Sequence, residues 1–153
     1  MMYWMTLPLR RYADFSGRSR RMEYWMFVLG YGIVLIILGA ILGVMGVLSS
    51  SMSDLQSGAV NGALMLPIIV FAIIGLGILI PSIAVQVRRL HDRNMSGWWL
   101  LGVYIASLIP FVGFFASIGL LVLLALPGTV GPNRFGPDPK DPYGSLNDAD
   151  VFS

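Results

Sequence analysis

The sequence predicts an all-α, polytopic membrane protein with two full spans and a C-terminal hydrophobic hairpin. Only 12% of its 153 residues are charged, whereas a soluble domain carries about 25%. Three long stretches, residues 26–48, 63–87 and 98–126, contain no charged residue. Because so little polar surface is available, lipid rather than water is expected to surround most of the chain. This interpretation gives four helical segments, and three spans are the alternative.

The length is suited to one domain, so residues 1–153 are expected to form a single membrane domain. Its predicted segments are an interfacial N-terminal segment at 1–22, helices at 24–48, 63–90, 97–109 and 112–126, and an irregular tail at 127–153.

The first predicted span is residues 26–48, which are apolar over a length that crosses a hydrocarbon core of about 30 Å. The preceding segment mixes aromatic side chains with arginines, which is typical of a segment at the membrane surface. This arginine-rich segment is too long for the charged region of a cleavable signal peptide, so we expect the first helix to be retained in the mature protein. Gly39 and Gly43 favour close approach of another helix, either within the chain or in a homo-oligomer.

The second predicted span contains two prolines. Pro67 lies in the first turn, where proline is tolerated. Pro81 lies deep inside and deprives the Gly77 carbonyl of its usual donor, which favours a kink. The kink either shapes the packing or acts as a hinge.

The third apolar stretch is too long for one untilted span. Pro110 and Gly113 lie near its centre, and this pair is suited to a turn. Two short helices forming a hairpin are therefore expected, with one long kinked helix as the alternative. The hairpin returns the tail to the cytoplasm, and the positive charges of Arg134 and Lys140 favour that placement.

The arginines also predict the orientation. Five arginines lie in residues 10–21, before the first span, and three follow the second, whereas residues 49–62 between the spans contain no arginine or lysine. Because basic residues are retained on the cytoplasmic side, the N-terminus and residues 88–93 are expected inside. Both arginine clusters then share one face of the membrane.

Composition argues against several classes of site. The chain has no cysteine and only one histidine, so a thiolate or tetrahedral zinc site is not expected. A net charge of +2 makes nucleic acid a poor partner. We therefore predict no metal, no cofactor and no nucleic-acid partner.

Three motifs in a fixed order resemble a known family. They are FSGRSRRMEYW at 15–25, PSIAVQVRRLHDRNMSGWW at 81–99, and IPFVG followed by LPGTVGPNRFGPDP in the last third of the chain. Together they resemble the bacterial inner-membrane family known as domain of unknown function 805. The resemblance implies a small, multi-pass protein of the bacterial inner (plasma) membrane, and it carries over no catalytic residues.

Two carboxylates near the membrane edge are expected to form ion pairs, since burying an unpaired charge is costly. Glu23 is predicted to pair with Arg88 or Arg89. Asp92 is predicted to pair with Arg20 or Arg21. The alternative is that all of these side chains are solvated and unpaired.

The basic residues and one helix start form a candidate site for anionic headgroups or a protein partner. The backbone N–H groups at the start of the third helix attract anions, and the nearby guanidinium groups would add to this attraction. The candidate residues are Arg18, Arg20, Arg21, Arg88, Arg89, Arg93, Ser96 and Gly97. Further candidate polar residues of the cytoplasmic face are His91, Asn133 and Arg134.

The function expected from these features is non-enzymatic: a basic cytoplasmic face that binds anionic lipid headgroups or a membrane-protein partner. A small transporter or channel subunit is one alternative, and it would need polar groups at mid-membrane. A membrane enzyme acting on a lipid is the other. It would need Glu23, His91 and Asp92 within hydrogen-bond reach of one another, although neighbours such as His91 and Asp92 do not face each other on a helix.

Overall fold

The computed structural model describes residues 2–49 and 62–141, and these residues form five helices. The helices are α1 (Met2–Arg10), α2 (Arg21–Ser49), α3 (Gly62–Asp92), α4 (Trp98–Ala106) and α5 (Val112–Ala125). Within the described ranges the only β pairing is one isolated bridge between Asn133 and Gly136. The predicted all-α class is therefore confirmed for this part of the chain.

The two long helices extend further into charged sequence than predicted. α2 begins at Arg21 instead of residue 24, and α3 ends at Asp92 instead of residue 90. The two carboxylates in these extra turns, Glu23 and Asp92, have protein partners. Glu23, for example, accepts a hydrogen bond from Ser19 Oγ at 2.7 Å. Because these carboxylates are satisfied within the protein, the helices can continue through them, and the charge of Arg21 is exposed.

The N-terminal segment contains a helix that the sequence did not predict. α1 includes Pro8, which is buried, and ends two residues later at Arg10. α1 packs against α2 and α3. A side chain at Gly30 would touch Met5 at 3.4 Å, so the missing side chain lets the two helices lie close together. The expected surface segment is thus an integral part of the bundle.

α3 is the central helix, because it contacts each of the other four. It is helical on both sides of Pro81, whose ring is buried. A small apolar cluster joins its end to the two short helices: Leu90 from α3, Leu100 from α4, and Leu120 and Leu124 from α5. This cluster fixes the hairpin against the end of α3.

α4 and α5 form the predicted hairpin, although α4 ends at Ala106 instead of residue 109. The turn contains Phe111 with a φ of 65°, a left-handed conformation that is unusual for a bulky residue. A Cβ on Gly113 would lie 2.7 Å from the Ser107 backbone, so the turn closes tightly only with glycine there. The 9 residues of α4 and 14 of α5 are each fewer than the roughly 20 needed for a full crossing.

The outer surfaces of the helices are apolar. α2 and α3 contain the two segments long and apolar enough to cross a membrane, Arg21–Gly46 and Ile68–Asp92. Only 6% and 17% of their most hydropathic windows are buried inside the protein. Apolar surface of this extent is not stable in water, which indicates that another apolar phase covers it.

The tail returns to the end of the bundle where α2 begins and α3 ends. The Thr129 backbone N–H donates to the Asp92 carbonyl at 2.8 Å, and Arg18 Nη1 donates to the Gly131 carbonyl at 2.6 Å. We call this end, made by residues 10–25, 88–97 and 126–141, the basic end. The last dozen residues of the predicted irregular tail, and nearly all of the polar stretch at 49–62, lie outside the described residues.

Cysteine labelling tests this arrangement, and the chain has no native cysteine to interfere. Ala13→Cys and Val130→Cys place exposed thiols at the basic end, and Ser51→Cys places one between α2 and α3. In intact cells, a membrane-impermeant maleimide is expected to label Ser51→Cys alone, because basic residues near the ends of spans favour retention of the basic end in the cytoplasm. All three should react after permeabilisation. If Val130→Cys and Ser51→Cys are labelled but Ala13→Cys is not, residues 98–126 cross the membrane once and do not form a hairpin.

Candidate functional site

Two buried carboxylates organise the basic end. Glu23 lies in the first turn of α2, and Asp92 is the last residue of α3. Their exposed fractions are 3% and 5%. A carboxylate in such a position needs charged partners, because transfer of an unpaired charge out of water is very costly.

Glu23 connects α2 to α3 through Arg88. Its Oε1 accepts from Arg88 Nη2 at 2.9 Å, and neither side chain is more than 3% exposed. Arg88 Nη1 also donates to the Asp14 carbonyl at 2.7 Å. The Ser19 N–H in turn donates to the Arg88 carbonyl at 3.2 Å. The structure thus contains the expected ion pair and selects Arg88 over Arg89.

Asp92 connects three segments, but not through the predicted partners. Its Oδ1 lies 2.9 Å from Arg18 Nη2, and its Oδ2 accepts from Arg89 Nη1. The prediction of Arg20 or Arg21 was wrong. Arg89 lies one turn before Asp92 on the same helix, and Arg18 lies in the extended segment that reaches the end of α3.

Arg18 and Arg89 also donate to backbone carbonyls at the end of the hairpin and in the tail. Arg89 Nε donates to the Leu124 carbonyl at 3.1 Å and its Nη2 donates to that of Leu126. Arg18 donates to the carbonyls of Thr129 and Gly131. We call Glu23, Asp92 and Arg18, Arg88 and Arg89 the buried charge cluster.

Three of the arginines predicted to bind headgroups must therefore be excluded from that role. Arg18, Arg88 and Arg89 are 6%, 0% and 0% exposed, so the protein itself covers their guanidinium groups and a headgroup cannot reach them. Arg20 and Arg93 are half-buried, whereas Arg21 is exposed. The latter three retain surface that could face a ligand.

Ser96 and Gly97 have structural roles at the start of α4. Ser96 Oγ accepts from the Trp98 N–H at 3.4 Å, which satisfies one of the free donors at this helix start. A Cβ on Gly97 would lie 2.8 Å from Val87, so glycine lets the turn pack against α3. These contacts account for both residues without an anion.

His91, at the end of α3, lies against Asn133 and Arg134 of the tail. The His91 ring stacks on Phe135 at 3.9 Å between centroids, and its Nδ1 lies 3.2 Å from the Gly17 carbonyl. A carbonyl can only accept, so Nδ1 carries the proton in this contact. Asn133 donates to the His91 carbonyl at 2.9 Å, and Arg134 donates to that of Asn94 at 3.0 Å.

Sequence reasoning missed the turn at Arg11, Asp14 and Ser16. Asp14 accepts from Ser16 Oγ at 2.5 Å and from Arg11 Nη2 at 2.6 Å. The hydrogen bond from Ser16, together with Arg11, lowers the pKa of Asp14 to about 2. The turn presents the Asp14 carbonyl to Arg88. The sequence signal that could have predicted this turn is the spacing of Arg11 three residues before Asp14.

The three groups that an enzyme would need are engaged separately. Glu23 is held by Arg88 and Ser19, Asp92 by Arg18 and Arg89, and His91 by Gly17 and Phe135. Over residues 2–49 and 62–141, no cluster of three or more His, Asp or Glu side chains could hold a metal ion. In this arrangement the charged side chains bind other groups of the same protein, which is a structural role.

A double-mutant cycle tests the link between α2 and α3. Glu23→Gln leaves Arg88 buried without a counter-ion, so the free energy of unfolding in detergent should fall by about 3 kcal/mol. Arg88→Gln should have a similar effect, and the double variant should show a coupling above about 1 kcal/mol. Arg10→Gln, which removes an exposed charge, serves as the control. Coupling below about 0.3 kcal/mol would show that the pair does not contribute.

Gly128→Ala tests the contact between the tail and Asp92. The added Cβ would overlap the Asp92 carboxylate, which cannot withdraw because Arg18 and Arg89 hold it. Overpacking costs about 1–3 kcal/mol, so the melting temperature should fall by several degrees. Gly119→Ala is the matched control, since a Cβ there meets nothing within 4 Å. Equal melting temperatures for the two variants would contradict the close contact.

Comparison with known proteins places this architecture in a family. Residues 12–137 match the family described as "Protein of unknown function (DUF805)". Inner membrane protein YhaH of Escherichia coli K12 is 40% identical over 139 residues, covering 91% of this chain and 98% of the relative. Inner membrane protein YhaI of the same strain is 37% identical, covering 91% and 97%. No solved structure matches the chain.

The matched region contains α2 to α5 and every residue of the buried charge cluster. The two relatives, which align over nearly their full lengths, are named as inner membrane proteins. The chain belongs to the DUF805 family of membrane proteins.

Proposed function

We propose that this protein is a non-enzymatic protein of the bacterial inner membrane, with its N-terminus in the cytoplasm, whose basic end binds the anionic headgroups of phospholipids. The proposal concerns the surface left after the buried charge cluster has formed. A membrane-protein partner at the same surface is the competing assignment.

The supporting observation is an excess of unpaired positive charge at one end. All ten arginine and lysine residues of the chain are described, and only Arg11, Arg18, Arg88 and Arg89 lie within 4.0 Å of a described carboxylate. The other six are Arg10, Arg20, Arg21, Arg93, Arg134 and Lys140. Anionic headgroups are attracted to such a surface by about 1 kcal/mol per basic residue.

Aromatic residues mark the same end as an interface. All four tryptophans of the chain, at positions 4, 25, 98 and 99, lie near the basic end. Trp98 is 77% exposed. Tryptophan is enriched at headgroup depth because its ring is apolar and its N–H is polar. Cations and rings therefore occupy the depth at which lipid phosphates lie.

The same charges support the proposed orientation. Within the described residues, the basic end holds ten basic side chains against five acidic ones. Basic residues near the ends of spans are retained in the cytoplasm. A cytoplasmic basic end also meets the leaflet whose surface potential is negative.

The alternatives receive less support from the described residues. A lipid-directed enzyme would need Glu23, His91 and Asp92 in one place, but each has its own partners. A transporter would need polar groups facing a cavity at mid-membrane. Ser82 instead donates to the Leu79 carbonyl of its own helix, at 2.7 Å.

Native mass spectrometry of the protein in mild detergent containing phosphatidylglycerol tests the proposal. The quadruple variant Arg21→Gln, Arg93→Gln, Arg134→Gln and Lys140→Gln should retain at least tenfold less of this lipid, since each of the four lost charges contributes about 1 kcal/mol. None of these residues belongs to the buried charge cluster, so the fold should persist. A variant that exchanges the same arginines for lysine, and Lys140 for arginine, is the control.

Undiminished lipid retention by the quadruple variant would refute the proposal. Failure of the unmodified protein to retain phosphatidylglycerol, with a second protein bound in its place, would favour the membrane-protein partner instead.

A further inference from the structure

A groove at the basic end combines cations with apolar side chains. Its volume is about 610 Å³. Four segments that are distant in the sequence line it: α1, the start of α2, the last residue of α5 and the tail. The lining residues that matter here are Trp4, Arg20, Arg21, Met22, Trp25 and Lys140.

The cations of this groove form no ion pair with a described carboxylate. No described carboxylate lies within 4.0 Å of Arg20, Arg21 or Lys140. Asp138 and Asp141 are the described acids of the tail, and the oxygens of Asp138 accept from the backbone N–H groups of Gly131 and Lys140. Three positive charges therefore face the groove without an ion-pair partner.

One of these cations is fixed in place, whereas the other two are adaptable. Arg20 Nε donates to the Pro139 carbonyl, and its guanidinium group lies 5.6 Å from the Trp4 ring centroid. Arg21 has only a long contact of 3.5 Å with the Ala125 carbonyl. Both Arg21 and Lys140 are exposed. A fixed arginine and two adaptable cations in one groove suit a phosphate group, which accepts several charged hydrogen bonds.

The apolar side of the groove continues along the membrane-facing surface of α2. Met22 and Trp25 line the groove, and Leu29, Ile33 and Ile36 follow at helical spacing on the same face. All five are exposed. Fourteen residues of helix rise about 21 Å, which exceeds half of a hydrocarbon core of about 30 Å. The stripe is therefore long enough for an acyl chain.

We infer that this groove is a specific site for one anionic glycerophospholipid, with its phosphate bound by Arg20, Arg21 and Lys140 and an acyl chain on the stripe from Met22 to Ile36. The inference rests on the proposed lipid-binding function and gives it one location. Both parts of the ligand are required: the three cations select an anionic headgroup, and the stripe selects a chain over a water-soluble phosphate.

The test divides the quadruple variant into two pairs. Arg21→Gln with Lys140→Gln removes the two adaptable cations of the groove, while Arg93→Gln with Arg134→Gln removes two cations that do not line it. In native mass spectrometry with phosphatidylglycerol, the groove pair should bind the lipid about tenfold more weakly, and the second pair should bind it nearly as the unmodified protein does. Arg21→Lys with Lys140→Arg should restore binding.

Two further probes distinguish the ligand. Glycerol phosphate carries the headgroup charge without acyl chains, and phosphatidylcholine carries the chains without net charge. Both should bind at least tenfold more weakly than phosphatidylglycerol. Binding of glycerol phosphate as tight as that of the lipid would replace the lipid site with a free-phosphate site and overturn the inference.

The two proposals can fail separately. The quadruple variant and the Arg93 and Arg134 pair could lose the lipid while the groove pair retains it. This result would overturn the assignment of the lipid to the groove but leave the lipid-binding function in place. Retention by all variants would overturn both. The melting temperature of each variant, compared with that of the unmodified protein, shows that the fold has been preserved.

Discussion

The structure depends on the pairing of two buried carboxylates with three buried arginines. Burying five charges costs a large desolvation energy, and attraction between the charges offsets it only when the other donors are also satisfied. The backbone carbonyls of Asp14, Leu124 and Gly131 each accept a further donor from one of the arginines, whereas Arg88 Nε is buried without a partner among the described residues. A short turn, the hairpin and the tail are therefore held in place by the requirements of the same charges. Removing one partner would leave an uncompensated charge, which is more damaging than losing the pair.

Arginines that are identical in the sequence have two different roles. Arg88 and Arg89 lie next to each other on α3, but one binds α2 and the other binds the tail. Arg20 and Arg21 line a groove, two and three residues after the buried Arg18. Burial, which depends on the path of distant segments, separates a structural arginine from one that can meet a ligand.

The features set by local sequence were predictable. The long helices follow from charge-free stretches, and the hairpin turn follows from Pro110 and Gly113. The pairing of Glu23 with an arginine of α3 was anticipated, because retention of positive charge places both on one side of the membrane. The pairing of Asp92 with Arg18 was not anticipated, since Arg18 reaches the end of α3 only through the tertiary path of the chain. Arg89, three residues before Asp92 on the same helix, was also not predicted as its partner, although its spacing permits the contact. Packing of α1 on α2 was missed for the same reason, because Pro8 argues against a helix in local terms.

The position of the tail has a consequence for the order in which the protein matures. Arg18 is synthesised early, but its carbonyl acceptors at Thr129 and Gly131 emerge more than a hundred residues later. Asp92 can pair with Arg18 before then, but the donors that these two carbonyls accept have to be satisfied by water or lipid phosphates. α2 and α3 can associate through Glu23 and Arg88 once Arg88 has been translated, whereas the Asp92 half is complete only after residue 131 has been translated. A nascent chain truncated before residue 129 therefore holds its two long helices together but leaves this end of the bundle open.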